Sequence, residues 1–254
     1  MRRTIISIVV LWLALFAGDH ALAQQEQRGL REFRVAIDIG HTPATPGALS
    51  ASGEMEYSFN RRMAAVIADD LRRHPGIAVT LINEAGREIS LLQRGDVANQ
   101  AKADLFLSIH HDSVHERYKV TRRVDGRNSR QSDRFRGYSV FFSDKNAEPA
   151  ASLEFAKQLG RAMREQGMTP TAHHAEKIPN EGRDFVVPEY GVYRFPDLLV
   201  LKRARMPAVL LECGVIVHPE EEQELNTPER QHQIVMAVRS AVLNLSTWLR
   251  ETRR

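Results

Sequence analysis

Two kinds of apolar pattern alternate along this chain, and their alternation constrains the fold more than any single motif. Short runs rich in Val, Ile, Leu and Phe are typical of buried strands, and five occur, at residues 33–39, 77–82, 104–109, 138–142 and 208–211. Apolar residues at helical spacing follow four of these runs, within residues 59–71, 92–101, 155–163 and 234–249. Ser90 is a typical N-cap for the second helix. This alternation predicts a single α/β domain with helices on both faces of a sheet.

The N-terminal stretch has the features of a secretory signal peptide. Arg2 and Arg3 precede an apolar run at residues 5–17, and residues 21–23 read Ala-Leu-Ala, the form of a cleavage site. The run is shorter than the roughly 20 residues that a membrane-spanning helix needs. We therefore expect cleavage after Ala23, and an uncleaved anchor is the alternative.

Together with the rest of the sequence, these features predict the domain organisation. We expect a signal peptide at residues 1–23, a flexible lead-in at 24–31 and a folded domain at 32–250. No other segment is apolar enough to span a bilayer, so the mature protein is expected to be periplasmic or secreted. The single cysteine, Cys213, excludes an intramolecular disulfide. The formal net charge is only +3, so we expect no nucleic acid partner.

Polar residues follow three of the predicted strands at the point where each strand ends. The first run leads into His41, the third into His110 and the fifth into Glu212. An open α/β sheet binds its ligands just beyond the carboxyl ends of the strands. We therefore expect two imidazoles and a carboxylate at one edge of the sheet, which is a suitable donor set for a metal.

An open catalytic zinc site needs three protein ligands, with water or substrate in the fourth position. Glu56, just ahead of the first predicted helix, is the best third ligand beside His41 and His110. Glu54 is the rival, and spacing alone does not choose between the two glutamates. Zinc lowers the pKa of its water toward about 7, so that Glu212 can act as a general base near that water.

Four sequence blocks occur in an order that is typical of one enzyme family. Residues 37–41 read Ile-Asp-Ile-Gly-His, and Glu56 stands at the start of the first helix. Residues 91–99 match Leu-x-x-Arg-x-x-x-Ala-Asn, and residues 103–110 read Ala-Asp-Leu-Phe-Leu-Ser-Ile-His. Residues 207–214 match Pro-Ala-Val-Leu-x-Glu-x-Gly. In these blocks the chain resembles the zinc-dependent N-acetylmuramoyl-L-alanine amidases of the amidase type 3 family.

The resemblance covers roughly residues 33–250 and implies a fold, a reaction and a site. The implied fold is a twisted mixed sheet of about six strands flanked by helices. The implied reaction cuts the amide bond between N-acetylmuramic acid and L-alanine in peptidoglycan. The resemblance assigns zinc to His41, Glu56 and His110, and the catalytic role to Glu212. Residues 32–250 would then be a zinc amidase catalytic domain.

Three places depart from the family pattern without removing a ligand. Thr42 and Pro43 stand where the family often has two glycines, and Tyr57 stands where it commonly has lysine. After His110 the family favours a small residue and asparagine, whereas this chain has His111 and Asp112. By strand alternation His111 should face away from the site.

Two other segments carry candidate binding residues. His173 and His174 lie in a loop with Glu176 and Glu181, and His174 is a candidate contact for the peptide stem, a supporting residue or plain solvated loop. Residues 114–136 hold eight basic and three acidic residues, a net charge of +5. We expect this segment to be a mobile loop that attracts the anionic cell wall, and a loop that is merely solvated is the alternative.

Two other functions are compatible with the sequence. A zinc peptidase of similar fold would act on wall peptides, and a non-catalytic wall-binding module would keep the fold alone. Retention of all four candidate residues argues against the module. No wall-binding repeat is visible, so targeting must come from the catalytic domain or from a partner such as a protein activator.

Overall fold

The five predicted strands are present and form the core of a mixed sheet. The computed structural model describes residues 31–179 and 182–253, and the described residues from Phe33 onward form one compact unit. The predicted signal peptide and most of the lead-in lie outside the described residues. The strands are Phe33–Ile39 (β1), Ile77–Ile82 (β2), Leu105–Asp112 (β3), Val120–Val124 (β4), Arg127–Gln131 (β5), Ser139–Phe142 (β6), Asp184–Val187 (β7), Val192–Arg194 (β8) and Ala208–Val215 (β9).

Seven of these strands form one sheet in the order β2-β1-β3-β9-β6-β8-β7. The pairs along β2, β1, β3 and β9 are parallel, so the carboxyl ends of β1, β3 and β9 lie at the same edge. β6 pairs with β9 in the antiparallel direction and with β8 in the parallel direction, and β7 completes the sheet antiparallel to β8. The mixed α/β fold is confirmed, with seven strands in the sheet.

Helices cover both faces of the sheet, as the alternation predicted. Their bounds are Glu56–Arg72 (α1), Leu91–Gln100 (α2), Pro149–Glu165 (α3), Leu199–Arg203 (α4), Pro219–Leu225 (α5) and Pro228–Thr252 (α6). The core on one face joins α1, α3 and α6 to the side chains of Ile37 and Leu107. The core on the other face joins α2 and α4 to Ala36 and Phe106. Neighbouring residues on a strand therefore serve opposite cores, as the pleat requires.

The helix ends follow capping rules that are readable in the sequence. The Ser90 side chain accepts a hydrogen bond from the Gln93 backbone N–H, and the Gln93 side chain accepts one from the Ser90 backbone N–H. This capping box confirms Ser90 as the N-cap of α2. Pro149, Pro219 and Pro228 begin three other helices, where a missing N–H costs nothing.

The basic segment at residues 114–136 is not an irregular loop, so that part of the expectation is wrong. It contains the β4–β5 hairpin, whose two-residue turn is Asp125-Gly126 with positive φ at both positions. An Asp-Gly pair between strands is a strong hairpin signal. Ser129 Oγ and Gln131 Nε2 both donate to the Ala51 carbonyl, at 2.7 and 2.9 Å, and fix the hairpin to the domain.

No helix within residues 31–179 and 182–253 is both long enough and apolar enough to cross a bilayer.

Candidate metal centre

Three different elements bring His41, Glu56 and His110 together at the edge of the sheet. His41 follows β1 by way of Gly40, His110 lies near the end of β3, and Glu56 is the first residue of α1. The strand register pairs Ile39 with Ile109, so β1 and β3 end side by side. The three side chains meet because α1 begins beyond that same edge.

The donor atoms of this group converge on a single point. Glu56 Oε2 lies 3.1 Å from His41 Nε2, and Glu56 Oε1 lies 3.0 Å from His110 Nδ1. All the donor atoms lie within 4.8 Å of one another. The two rings meet edge to face, with centroids 5.0 Å apart. Two imidazoles and one carboxylate at this spacing are a donor set that could hold a metal ion and leave one position open.

Glu56 is held in place by its own neighbours as well as by the imidazoles. The Ala48 backbone N–H donates to Glu56 Oε2 at 3.1 Å, and Asn60 Nδ2 donates to Oε1 at 3.1 Å. Burial by itself would raise the pKa of Glu56. Hydrogen bonds and electrostatic attraction from His110 and His41 outweigh this effect of burial. They hold the pKa of Glu56 below its usual range. The carboxylate is therefore ionised, as a metal ligand must be.

Two glycines allow the imidazoles to approach the backbone. A Cβ at Gly40 would lie 2.4 Å from His110 Nε2. A Cβ at Gly47 would lie 2.3 Å from Glu56 Oε2 and 2.7 Å from His41 Nε2, and Gly47 also has φ of +77°. Any side chain at either position would displace the donor atoms, so these glycines shape the site.

Arg94 supports the backbone that carries His41. Its guanidinium pairs with Asp38 at 2.7 Å and donates to the backbone carbonyls of Ile39 and His41. His41 has φ of +66°, a conformation that a non-glycine residue adopts only with support. The nearby Asp96 pairs instead with Arg203. Arg94 is therefore a buried structural residue of the site loop.

His111 faces away from His110, as strand alternation predicts. Its Nδ1 lies 2.8 Å from Asn60 Oδ1, and Asn60 in turn donates to Glu56. Burial lowers the pKa of His111 to about 3, so its ring is neutral at physiological pH. The residue supports Glu56 through Asn60.

Of the two rival glutamates, the structure brings Glu56 to the imidazoles. Glu54 lies outside the group and pairs with Arg62, in a partly exposed position. The helix start separates the two: Glu56 is the first residue of α1, and Glu54 belongs to the turn before it.

Glu212 lies on β9 directly beside His110 of β3, because these two residues are register partners. Its Oε2 is buried and makes no hydrogen bond to any described residue. Burial, followed by the negative charges of Asp112 and Glu56, raises the pKa of Glu212 well above its usual value. An orphaned carboxyl oxygen next to a donor set has the properties of a group that handles a proton.

The next residue on β9, Cys213, points into the opposite core. It is a buried free thiol, and burial raises its pKa. Its packing agrees with a small hydrophobic residue rather than a nucleophile.

His174 belongs to a second group, which sequence reasoning did not assemble. His174 Nε2 lies 2.6 Å from Asp112 Oδ2, and His173 Nε2 lies 3.3 Å from the same oxygen. The one sequence signal was Asp112, where the family favours asparagine. Glu176 pairs with Arg134, and Glu181 lies outside the described residues.

The sequence model of the N-acetylmuramoyl-L-alanine amidase family matches residues 35–244. AmiA of Salmonella typhimurium, an N-acetylmuramoyl-L-alanine amidase, is 23% identical over 268 residues, which cover 97% of this chain and 92% of AmiA. The N-acetylmuramoyl-L-alanine amidase structure from Clostridium difficile 630 matches with a TM-score of 0.66 and 24% identity, over 86% of this chain and 98% of that one. The CwlD amidase from Clostridioides difficile, solved in complex with the GerS lipoprotein, matches with a TM-score of 0.57 and 17% identity, over 85% of this chain and 100% of that one.

The family match spans most of the chain, including the blocks that contain His41, His110 and Glu212. The chain therefore belongs to the N-acetylmuramoyl-L-alanine amidases of the amidase type 3 family, which confirms the resemblance and assigns it amidase activity on peptidoglycan.

Proposed function

We propose that this amidase works at a zinc centre formed by His41, Glu56 and His110, with Glu212 as the catalytic carboxylate. The bond cut is the amide between the lactyl group of N-acetylmuramic acid and L-alanine. The observation that carries the proposal is the convergence of three donor side chains within 4.8 Å beside the register partner of His110. Zinc suits this donor set because it binds imidazole nitrogen and carboxylate oxygen in open sites of three protein ligands.

A zinc ion held there supplies Lewis-acid chemistry and an acidified water. The chain's own contribution begins with orientation. Glu56 meets each imidazole with a different oxygen, so that both rings are aimed at one point. Asn60 and the Ala48 backbone hold the carboxylate in that position. Ligands fixed in this way lose little freedom when they bind a metal.

Glu212 moves the proton in the proposed reaction. Its carboxylate takes a proton from water as the water oxygen attacks the lactyl carbonyl carbon. It then gives that proton to the departing nitrogen of L-alanine as the carbon–nitrogen bond breaks. Glu212 therefore ends in the protonation state in which it began. A cation in the neighbouring centre favours the ionised, proton-accepting form of this carboxyl.

His174 is proposed to contact the peptide stem in the neighbouring cleft. It is one-fifth exposed at its side chain and lines a cavity of about 400 Å³. Ser113 and Val114, just beyond the end of β3, line the same cavity, which places it next to the strand that carries His110.

The site of action follows from the N-terminal sequence. We propose that residues 1–23 direct export and are removed, that 24–31 is a lead-in, and that 32–250 is the catalytic domain, working in the periplasm or secreted. The substrate supports this location, because peptidoglycan lies outside the cytoplasm. A protein activator is also proposed, supported by the solved complex of the CwlD amidase with GerS.

Mass spectrometry of the products released from purified sacculi tests this function. The parent should release stem peptides with a free L-alanine amino terminus and leave glycan strands without peptide. A zinc chelator should stop the release, and added zinc should restore it. Shortened stems still joined to muramic acid would instead identify a zinc peptidase. Binding without any product would identify a wall-binding module.

A further inference from the structure

A second group of metal-ligating side chains lies beyond the proposed zinc centre. Asp112 is the last residue of β3, and His173 and His174 begin the short 3-10 turn His173–Ala175. Both imidazoles direct Nε2 at one oxygen, Asp112 Oδ2, from 3.3 and 2.6 Å. Their three donor atoms lie within 4.8 Å of one another, the same limit that the first group satisfies.

Hydrogen bonding within the group leaves one donor atom unused. His173 Nε2 is buried and makes no hydrogen bond to any residue in the described parts of the chain. The other nitrogen of that ring, Nδ1, already has a partner, because it lies 2.9 Å from Thr171 Oγ1. A buried polar atom without a partner is unfavourable. A cation between Nε2 and Asp112 Oδ2 would satisfy it.

The group is held in position by surrounding contacts, as a metal site requires. The Ser113 backbone N–H donates to Asp112 Oδ1 at 2.8 Å, which leaves Oδ2 directed at the imidazoles. Phe141 meets the His174 ring edge to face at 4.8 Å. Phe135 packs on the His173 ring at 5.5 Å. Aromatic packing therefore restrains both imidazole rings, and the contact with Thr171 restrains that of His173 further.

The group also opens to a space in which a further ligand can sit. A cavity of about 400 Å³ is lined by both histidines together with Val114, Tyr118 and Ile178. Three protein ligands next to an open cavity correspond to a site that keeps one position for water or another small ligand. Two imidazoles and a carboxylate favour a transition ion such as zinc over magnesium or calcium, which prefer oxygen ligands.

We propose that Asp112, His173 and His174 form a second metal site, which binds a divalent transition ion such as zinc. It lies two residues along β3 from His110 and shares no ligand with the first centre. The inference goes beyond the proposed function, because the first centre needs none of these three residues.

Zinc stoichiometry measured on the purified full chain tests the proposal. After dialysis against zinc buffer, elemental analysis should give two zinc ions per parent chain. His174→Ala and His110→Ala should each give one, and the double variant none. His232→Ala, at an exposed helical position, is the control and should give two.

One zinc ion in both the parent and His174→Ala would overturn the second site and leave the first intact. Two zinc ions in His110→Ala would instead argue against the first centre, so the two failures are distinguishable. His174→Gln keeps a similar side-chain volume and covers the case in which the alanine variant does not fold. In the His110→Ala background, added zinc should raise the melting temperature, and the further change His174→Gln should abolish that rise. A rise that persists would contradict the proposal.

Discussion

Two carboxylate–imidazole groups lie near the same edge of the sheet, and they are built in different ways. In the first group Glu56 offers a separate oxygen to each imidazole. In the second group Asp112 offers one oxygen to both imidazoles. The rings of the first group are 5.0 Å apart, whereas those of the second are 3.9 Å apart.

The two groups also differ in the origin of their residues. The first joins three elements across residues 41–110, and a buried Arg94–Asp38 pair holds its loop. The second takes both imidazoles from adjacent positions in one short turn. The first group therefore depends on the alignment of β1, β3 and α1 at the edge of the sheet, while the second depends on the packing of one turn against the end of β3. Disrupting the first should therefore have the larger effect on catalysis.

The largest effect is expected for His110→Ala, which removes a donor from the first group. It should lose one zinc ion per chain and lower peptide release from sacculi to the level of the chelator-treated parent, because two remaining ligands hold zinc weakly. Elemental analysis and product mass spectrometry measure the two outcomes. If this variant kept all its zinc and the activity of the parent, the first group would not have the larger effect on catalysis.

Glu212→Gln should keep both metals and lower the rate about 10² to 10⁴-fold, the usual worth of a positioned general acid–base. The substitution keeps the shape and removes the proton-accepting oxygen. Glu54→Gln is the matched control, because Glu54 lies outside the metal group, and its effect should be mild. A rate for Glu212→Gln within about threefold of the parent would make this carboxylate structural.

Arg94→Met tests whether the buried pair anchors the first group. The change removes the guanidinium that pairs with the buried Asp38 carboxyl, and we expect a loss of about 3–5 kcal/mol in the free energy of unfolding. Asp96→Asn breaks the partly exposed pair with Arg203 and should cost about 1 kcal/mol or less. Denaturant titration measures both. Equal losses in the free energy of unfolding would mean that burial does not make the Arg94–Asp38 pair more important for stability than the Asp96–Arg203 pair.

Glu221 is another buried carboxylate, and its side chain accepts hydrogen bonds from backbone N–H groups rather than from imidazoles. Burial raises its pKa to about 7, although the backbone N–H groups of Val215 and Gly137 donate to it. The folded state therefore binds more protons than the unfolded state between pH 4.5 and 7, so this group's contribution to stability falls as pH rises through that window.

Glu221→Gln should remove this pH dependence. Relative to pH 4.5, the parent should lose about 3 kcal/mol by pH 8 that the variant does not lose. Denaturant titrations of both proteins across that range give the difference, in which the other titrating groups cancel. If the free energy of unfolding changed with pH equally in the parent and the variant, the pKa of Glu221 would not be raised by folding. The contrast with Glu56, whose pKa is lowered by its imidazoles, would then be wrong.

The smallest effect concerns the basic hairpin. Four exposed arginines within residues 114–136 neither pack on Phe135 nor pair with Asp133 or α5, and they are Arg117, Arg123, Arg127 and Arg130. Replacing all four by serine should weaken sacculus binding mainly at low salt, because exposed charges are screened beyond about 8 Å at physiological salt. Zinc content should not change. Equal binding across a salt series would limit the hairpin to a structural role.

The sequence predicted the central strands well because their signals are local. β1 and β2 match their predicted bounds, since short runs rich in Val, Ile and Leu are typical of strands. β7 and β8 were missed because each has only four or three residues and the turn residues Pro188 and Gly191 separate them. The hairpin was missed although Asp125-Gly126 was a readable turn signal.

For the site, the sequence by itself determined that His41, His110 and Glu212 lie toward the carboxyl ends of three strands of one sheet, because the apolar pattern alone locates those strands. It placed two of the strand ends too early, since β3 continues to Asp112 and β9 to Val215. Spacing alone left Glu56 and Glu54 open, and the family resemblance favoured Glu56. The tertiary structure brings Glu56 rather than Glu54 to the imidazoles, since that contact depends on where α1 begins over the edge. The meeting of Asp112 with His173 and His174, about 60 residues away, was likewise decided by tertiary structure. No local periodicity encodes such a contact: it depends on how the β7–β8 side of the sheet and its loops pack against the end of β3.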